Sequence, residues 1–149
     1  MIRVQREDFD LGRELAALTD GNLEVGGLGV FVGLVREMVQ GSPIQAMTLE
    51  HYPGMTEKQL AAIEAEARAR WPLQASLIIH RYGRLEPGER IVLVACASAH
   101  REAALEATHF LIDWLKTKAP FWKLEEGEAG ADWVEARASD EGAAERWRK

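Results

Sequence analysis

Cysteine is almost missing from this chain. The single Cys96 leaves no intrachain disulfide to form, which fits a reducing compartment. Long apolar runs are missing too, and none approaches the roughly 20 residues that a membrane-spanning helix needs. The N-terminus carries Arg3, Arg6, Glu7 and Asp8 where a secretion signal would have its apolar core. The expectation is a soluble, cytoplasmic protein. Positive charge is in deficit: 18 Lys and Arg stand against 24 Asp and Glu, a net charge of -6. General nucleic-acid binding needs a basic footprint and is therefore disfavoured, although a local basic pocket remains compatible. Repeats, linkers and low-complexity tracts are also absent. A hydrophobic share of 47% and a charged share of 28% give an ordinary globular balance over 149 residues. One domain over residues 1–149 is expected, with a flexible polar tail at about 139–149.

Several chemical signatures are lacking as well. There is no P-loop and no nucleophile elbow. Gly27-Leu28-Gly29 does not open a helix and lacks the third glycine of a dinucleotide fingerprint. His51, His80, His100 and His109 show no metal-ligand spacing. Cys96 sits in an apolar strand, the setting of an inert core thiol.

What is present reads as mixed helices and strands. Ile2 and Val4 alternate with polar residues in a short strand. Asp10 caps a helix carrying Leu11, Leu15 and Leu18. The stretch from Gly26 to Arg36 is an apolar strand whose glycines suggest bends or close backbone approach. Ile44 to Tyr52 is another strand. Thr56 and Gln59 form a capping-box pair that opens a helix striped by Leu60, Ile63, Ala67 and Trp71. Ala75 to Tyr82 and Arg90 to Ala97 are strands, the second so apolar that it should be central. Ser98 starts a long helix that Ala119-Pro120 stops. Phe121-Trp122-Lys123-Leu124 then pairs with Asp132-Trp133-Val134-Glu135 across an acidic, glycine-bearing loop. The fold class is α+β with a mostly antiparallel sheet.

Three constellations could carry chemistry. Ser98-Ala99-His100-Arg101 lies where a central strand passes into a helix, and free N–H groups with a positive dipole favour an anion there. Its plainer reading is a capping serine beside a surface arginine. Lys116 and Lys123 flank a proline turn. They could steer an anion or move a proton, or they could complement a helix C-terminus. Arg36 ends an apolar strand and is either a surface charge or aimed into a site. The tryptophans suggest core or interface in so acidic a chain.

Several ordered strings resemble the molybdopterin synthase catalytic (large) subunit family. They are Leu49-Glu50-His51-Tyr52-Pro53-Gly54-Met55, Arg70-Trp71-Pro72-Leu73, and Ile79-His80-Arg81 with Gly83 and Pro87-Gly88. Further on come Ser98-Ala99-His100-Arg101, the run from Leu115 to Lys123, and Trp133-Val134-Glu135-Ala136. The resemblance covers about residues 29 to 137. It implies a homodimer in which each large subunit binds a small ubiquitin-like sulfur carrier ending in Gly-Gly. The carrier's thiocarboxylate converts cyclic pyranopterin monophosphate into the dithiolene molybdopterin, with opening of the cyclic phosphate. It also implies that Lys116 and Lys123 are catalytic, that Arg36, His100 and Arg101 bind substrate, and that Arg137 is a further pocket residue reaching the partner protomer's site. No resident cofactor or metal, nucleic acid or membrane is expected. The alternative is a non-catalytic module that docks such a carrier; retention of Lys116, Lys123, His100 and Arg101 together argues against it.

Overall fold

The computed structural model describes residues 1–39, 41–127, 130–134, 145 and 147. Its elements follow the chain as β1 (Ile2–Gln5), α1 (Leu11–Thr19), β2 (Gly27–Leu34), β3 (Met38–Val39) and β4 (Ser42–His51). Then come α2 (Met55–Arg70), β5 (Leu73–Arg81), β6 (Gly83–Leu85), β7 (Arg90–Ser98), α3 (Arg101–Thr117), β8 (Phe121–Gly127) and β9 (Gly130–Val134). One sheet has the order β1-β5-β7-β2. The other runs β3-β4-β8-β9, with β6 also on β4. Among the described residues, only the β1–β5 pairing is parallel. The fold is α+β, as the sequence reading expected. No helix among the described residues is long and apolar enough to cross a membrane.

The central position of β5 and β7 follows from their composition. Side chains alternate across a strand, so consecutive apolar residues, such as 77–79 in β5 and 91–97 in β7, need cover on both faces. Ile78, Val92, Val94 and Cys96 point into a core built by Leu60, Ile63 and Ala67 of α2 and Ala107, Phe110, Leu111 and Leu115 of α3. Leu77, Ile79, Leu93 and Ala95 point the other way, against Phe9 and the α1 leucines 11, 15 and 18. Complete burial of a side chain such as Phe110 or Leu111 contributes roughly 1.5–3 kcal/mol.

The glycines of β2 allow close approach, as expected. A Cβ on Gly29 would overlap the Ala104 carbonyl oxygen and sit 2.8 Å from Thr108 Oγ1, while one on Gly27 would lie 3.7 Å from Arg101 Cα. Thr108 Oγ1 donates to the Gly29 carbonyl at 3.0 Å. Thus α3 lies against β2, running from Arg101 beside Gly27 toward the Leu34 end.

Two expected helix starts are displaced. Gly54, not Thr56, is the N-cap of α2. Its φ of 85° reverses the chain, a conformation open to glycine, and its N–H donates to Glu57 at 2.9 Å. Thr56 lies inside the first turn, where its hydroxyl donates back to the Tyr52 carbonyl at 2.8 Å. Likewise His100, not Ser98, caps α3. Ser98 ends β7 and donates to the Pro72 carbonyl at 2.8 Å. The expected Asp10 cap of α1 is present: Arg13 N–H donates to Asp10 Oδ1 at 3.1 Å.

Of the expected tail, only Glu145 and Trp147 are among the described residues. Trp147 packs over the α2–α3 core, its ring 5.6 Å from both Trp71 and Phe110. Its indole N–H donates to Asp113 Oδ2 at 2.6 Å, and Arg70 donates to its carbonyl at 2.6 Å.

Candidate active site

Register brings Lys123 inward. Strand β8 pairs with β4, opposing Phe121 to His51 and Lys123 to Leu49. Alternation puts Phe121 and Lys123 on the same face of β8, about 7 Å apart along it. Phe121 stacks on His80 of β5 with ring centroids 3.8 Å apart and planes 16° from parallel. His51 closes the cluster, 6.1 Å from Phe121 and 4.5 Å from Tyr82. Its Nδ1 meets Thr56 Oγ1 at 3.1 Å.

His80 is buried, and its Nδ1 lies 2.9 Å from the Arg81 carbonyl. A carbonyl only accepts, so Nδ1 carries the proton and the neutral ring keeps its lone pair at Nε2. Burial pushes the imidazole down to about 4; the hydrogen bond to Arg81 opposes this, while the charges of Lys116, Lys123 and His51 push the same way. Lys116 is exposed in the last turn of α3, and Lys123 is half-buried on β8.

The remaining sequence candidates lie elsewhere. His100 and Arg101 are exposed at the start of α3. Fifteen residues separate Arg101 from Lys116, or about 22 Å of helix, so one chain does not bring these groups together. Arg36 is exposed just beyond β2 and held from both sides. Val35 N–H donates to the Glu89 carbonyl at 2.9 Å, and the Glu37 carbonyl accepts from Ile44 at 2.8 Å. Arg137 lies outside the described residues. Sequence reasoning missed His51, His80 and Phe121 as site neighbours. His51 and His80 entered it as histidines without metal-ligand spacing and as members of the family strings, while the signal for a site was a histidine at or near the end of each of two strands.

The fold and this cluster define a class: α+β proteins in which a lysine-bearing strand packs its face against a buried, neutral imidazole. A family model described as MoaE protein matches residues 4–118. The chain is 57% identical over 146 residues to the molybdopterin synthase catalytic subunit of Pseudomonas aeruginosa, covering 98% of this chain and 97% of that one. Among solved structures, the molybdopterin biosynthesis MoaE protein from Burkholderia ambifaria superposes with a TM-score of 0.85 at 50% identity, covering 99% and 97% of the two chains. The molybdopterin synthase structure from Staphylococcus aureus gives a TM-score of 0.83 at 32% identity, covering 89% and 96%. The chain belongs to the MoaE family.

Proposed function

We propose that the chain works as the catalytic subunit of a molybdopterin synthase, with Lys116 and Lys123 as its working pair. It is a sulfurtransferase of molybdenum cofactor biosynthesis, acting in the cytoplasm. Its reaction moves sulfur from the thiocarboxylated Gly-Gly end of a small ubiquitin-like carrier to cyclic pyranopterin monophosphate, forming the dithiolene. One observation carries the reading: in a chain of this family, Lys123 shares a face of β8 with Phe121, which stacks on the buried His80 ring, and a proline turn joins that strand to the end of α3 that carries Lys116. Both substrates are anionic, and negative charge develops as sulfur adds to carbon. Ammonium groups stabilise that charge and can deliver or receive a proton. The expected outcome for Lys116→Ala is a folded chain that still binds carrier but loses turnover by on the order of a hundredfold or more. Lys123→Ala should lose turnover and precursor binding together. Dithiolene formation, a melting curve and a carrier-binding assay measure this, and near wild-type turnover in Lys116→Ala would sink the assignment.

Arg36, His100, Arg101 and Arg137 belong to the same reading as substrate contacts. Because His100 and Arg101 lie a helix length from Lys116, the reading takes them from a second copy of the chain. Strand β2 supports this, being an edge among the described residues that exposes Leu28, Val30, Phe31 and Leu34. Antiparallel pairing of two β2 edges about a twofold axis would oppose Gly27 of one copy to the Leu34 end of the other. His100 and Arg101, beside Gly27, would then approach the partner copy's Arg36 and the C-terminal end of its α3.

A further inference from the structure

The junction between β7 and α3 is held on both sides. Ser98 opposes Gly27 of β2 and Leu73 of β5, and its hydroxyl donates to the Pro72 carbonyl at 2.8 Å. From Arg101 onward α3 lies against β2, where a Cβ on Gly27 would sit 3.7 Å from Arg101 Cα, an ordinary contact. Between these two holds, Ala99 and His100 are exposed, and the backbone beneath them is Gly26. The Gly26 N–H donates to the Ser98 carbonyl at 2.9 Å. A Cβ on Gly26 would fall 2.0 Å from the Ala99 carbonyl oxygen and 2.9 Å from its carbon, so no larger residue fits without backbone movement. The Gly26 side is the firmer of the two. It runs on into the β2–β7 ladder, and Asn22 ties down the loop before it. The Asn22 N–H donates to the Thr19 carbonyl at 3.1 Å, its side-chain amide donates to Gln74 at 3.2 Å, and its Oδ1 accepts from Glu24 N–H at 3.0 Å. An added methyl at position 26 would therefore displace the Ala99–His100 peptide rather than the loop.

We propose that Gly26 is a positioning residue for substrate binding: by closing directly on the Ala99 peptide, it fixes the direction in which His100 and Arg101 leave the end of β7. This rests on the reading in which those two side chains contact the anionic precursor in a second copy's site. The need for a fixed root follows from their surroundings. Both side chains are exposed, and among the described residues neither makes a hydrogen bond or an ion pair. Their direction is thus set by the backbone that carries them. His100 is the N-cap of α3, with extended φ of -128° and ψ of 145°, so a tilt of the Ala99 peptide is passed to both roots. A long side chain with a loose root loses more freedom when it binds, and its hold on an anion weakens accordingly.

The test uses the full chain. Gly26→Ala should raise the KM for cyclic pyranopterin monophosphate by on the order of tenfold or more, with kcat and carrier binding changed far less. Gly27→Ala adds its methyl at an ordinary contact distance and should leave that KM near the wild-type value. Equal losses in the two variants would overturn the proposal, because general packing against α3 would then be responsible. A double-mutant cycle separates positioning from stability. In a chain carrying both His100→Ala and Arg101→Ala, the further change Gly26→Ala should add little to the loss of precursor binding. Full additivity would refute the proposal. Mixed dimers read the same coupling through turnover. Gly26→Ala chains mixed with Lys116→Ala chains should regain activity, since each hybrid holds one intact site; mixed with Arg101→Ala chains they should regain none. The reverse pattern would refute it. Should Gly26→Ala not fold, Ala99→Gly loosens the same peptide without adding an atom. It should raise the same KM while the melting temperature hardly moves, and an unchanged KM there counts against Gly26. Normal precursor binding by Arg101→Ala would instead be a failure of the proposed function itself.

Discussion

His80 ties acid stability to the site. Its ionisation lies at about 4 in the folded protein against 6.5 for an ordinary histidine, so the unfolded chain takes up the proton first. A depressed histidine contributes stability that is complete above the unfolded value and is lost as pH falls toward the folded one. Unfolding free energy should therefore drop between pH 6.5 and about 4, by roughly 3 kcal/mol at 1.36 kcal/mol per unit. Arg90 lowers Asp8 and Arg3 lowers Glu14, each chiefly through a hydrogen bond, so the losses from these carboxylates come at lower pH. Urea melts across the window should show the slope, and His80→Gln should flatten it; an unchanged slope in that variant would assign the proton elsewhere. Residue by residue, the sequence was readable where chemistry is local. Asp10 met its helix start, and the strings containing Lys116 and Lys123 pointed to the family. His80 was not readable as a site neighbour, because its surroundings come from β4, α3 and β8, and no local spacing records such an encounter.

Helix α3 against strand β2 carries the geometry at the level of elements. Gly29 removes the side chain that would otherwise hold the two apart. Gly29→Ala should cost about 2–3 kcal/mol, since its Cβ would overlap the Ala104 carbonyl and a helix anchored by Phe110 and Leu111 cannot shift freely. Chemical denaturation measures this, and a loss below about 0.5 kcal/mol, the ordinary range of a surface substitution, would mean that α3 moves away easily. The glycine-rich run announced a close approach but not its partner. The helix starts were misread for a related reason. Thr56 and Ser98 are good capping residues by type, yet Tyr52 and Pro72 supply carbonyls that claim their hydroxyls.

The whole molecule raises the question of how many copies complete a site. Val30→Lys puts a charge on the exposed β2 edge, the device by which natural edges avoid pairing. Sedimentation should find the wild type as a dimer and this variant shifted toward monomer, with turnover lost in parallel; a wild-type monomer at micromolar concentration would contradict the shared site. Mixing Lys116→Ala with Arg101→Ala chains offers an independent check. Hybrid dimers would hold one intact site each, giving about a quarter of wild-type activity from a random mixture. No recovery above the two parents would mean that each chain works alone. The sheet order was not legible in the sequence, because each β1 residue pairs with one 76 positions further on, as Ile2 with Ile78.

Trp147 has a consequence for how the protein is made. Synthesis runs from the N-terminus, so α2 and α3 leave the ribosome well before the ring that covers Trp71 and Phe110. Until residue 147 emerges, Asp113 lacks its indole donor and the groove between the two helices stays open to water. The nascent chain thus carries an aromatic, chaperone-accessible surface that closes only once residue 147 has emerged.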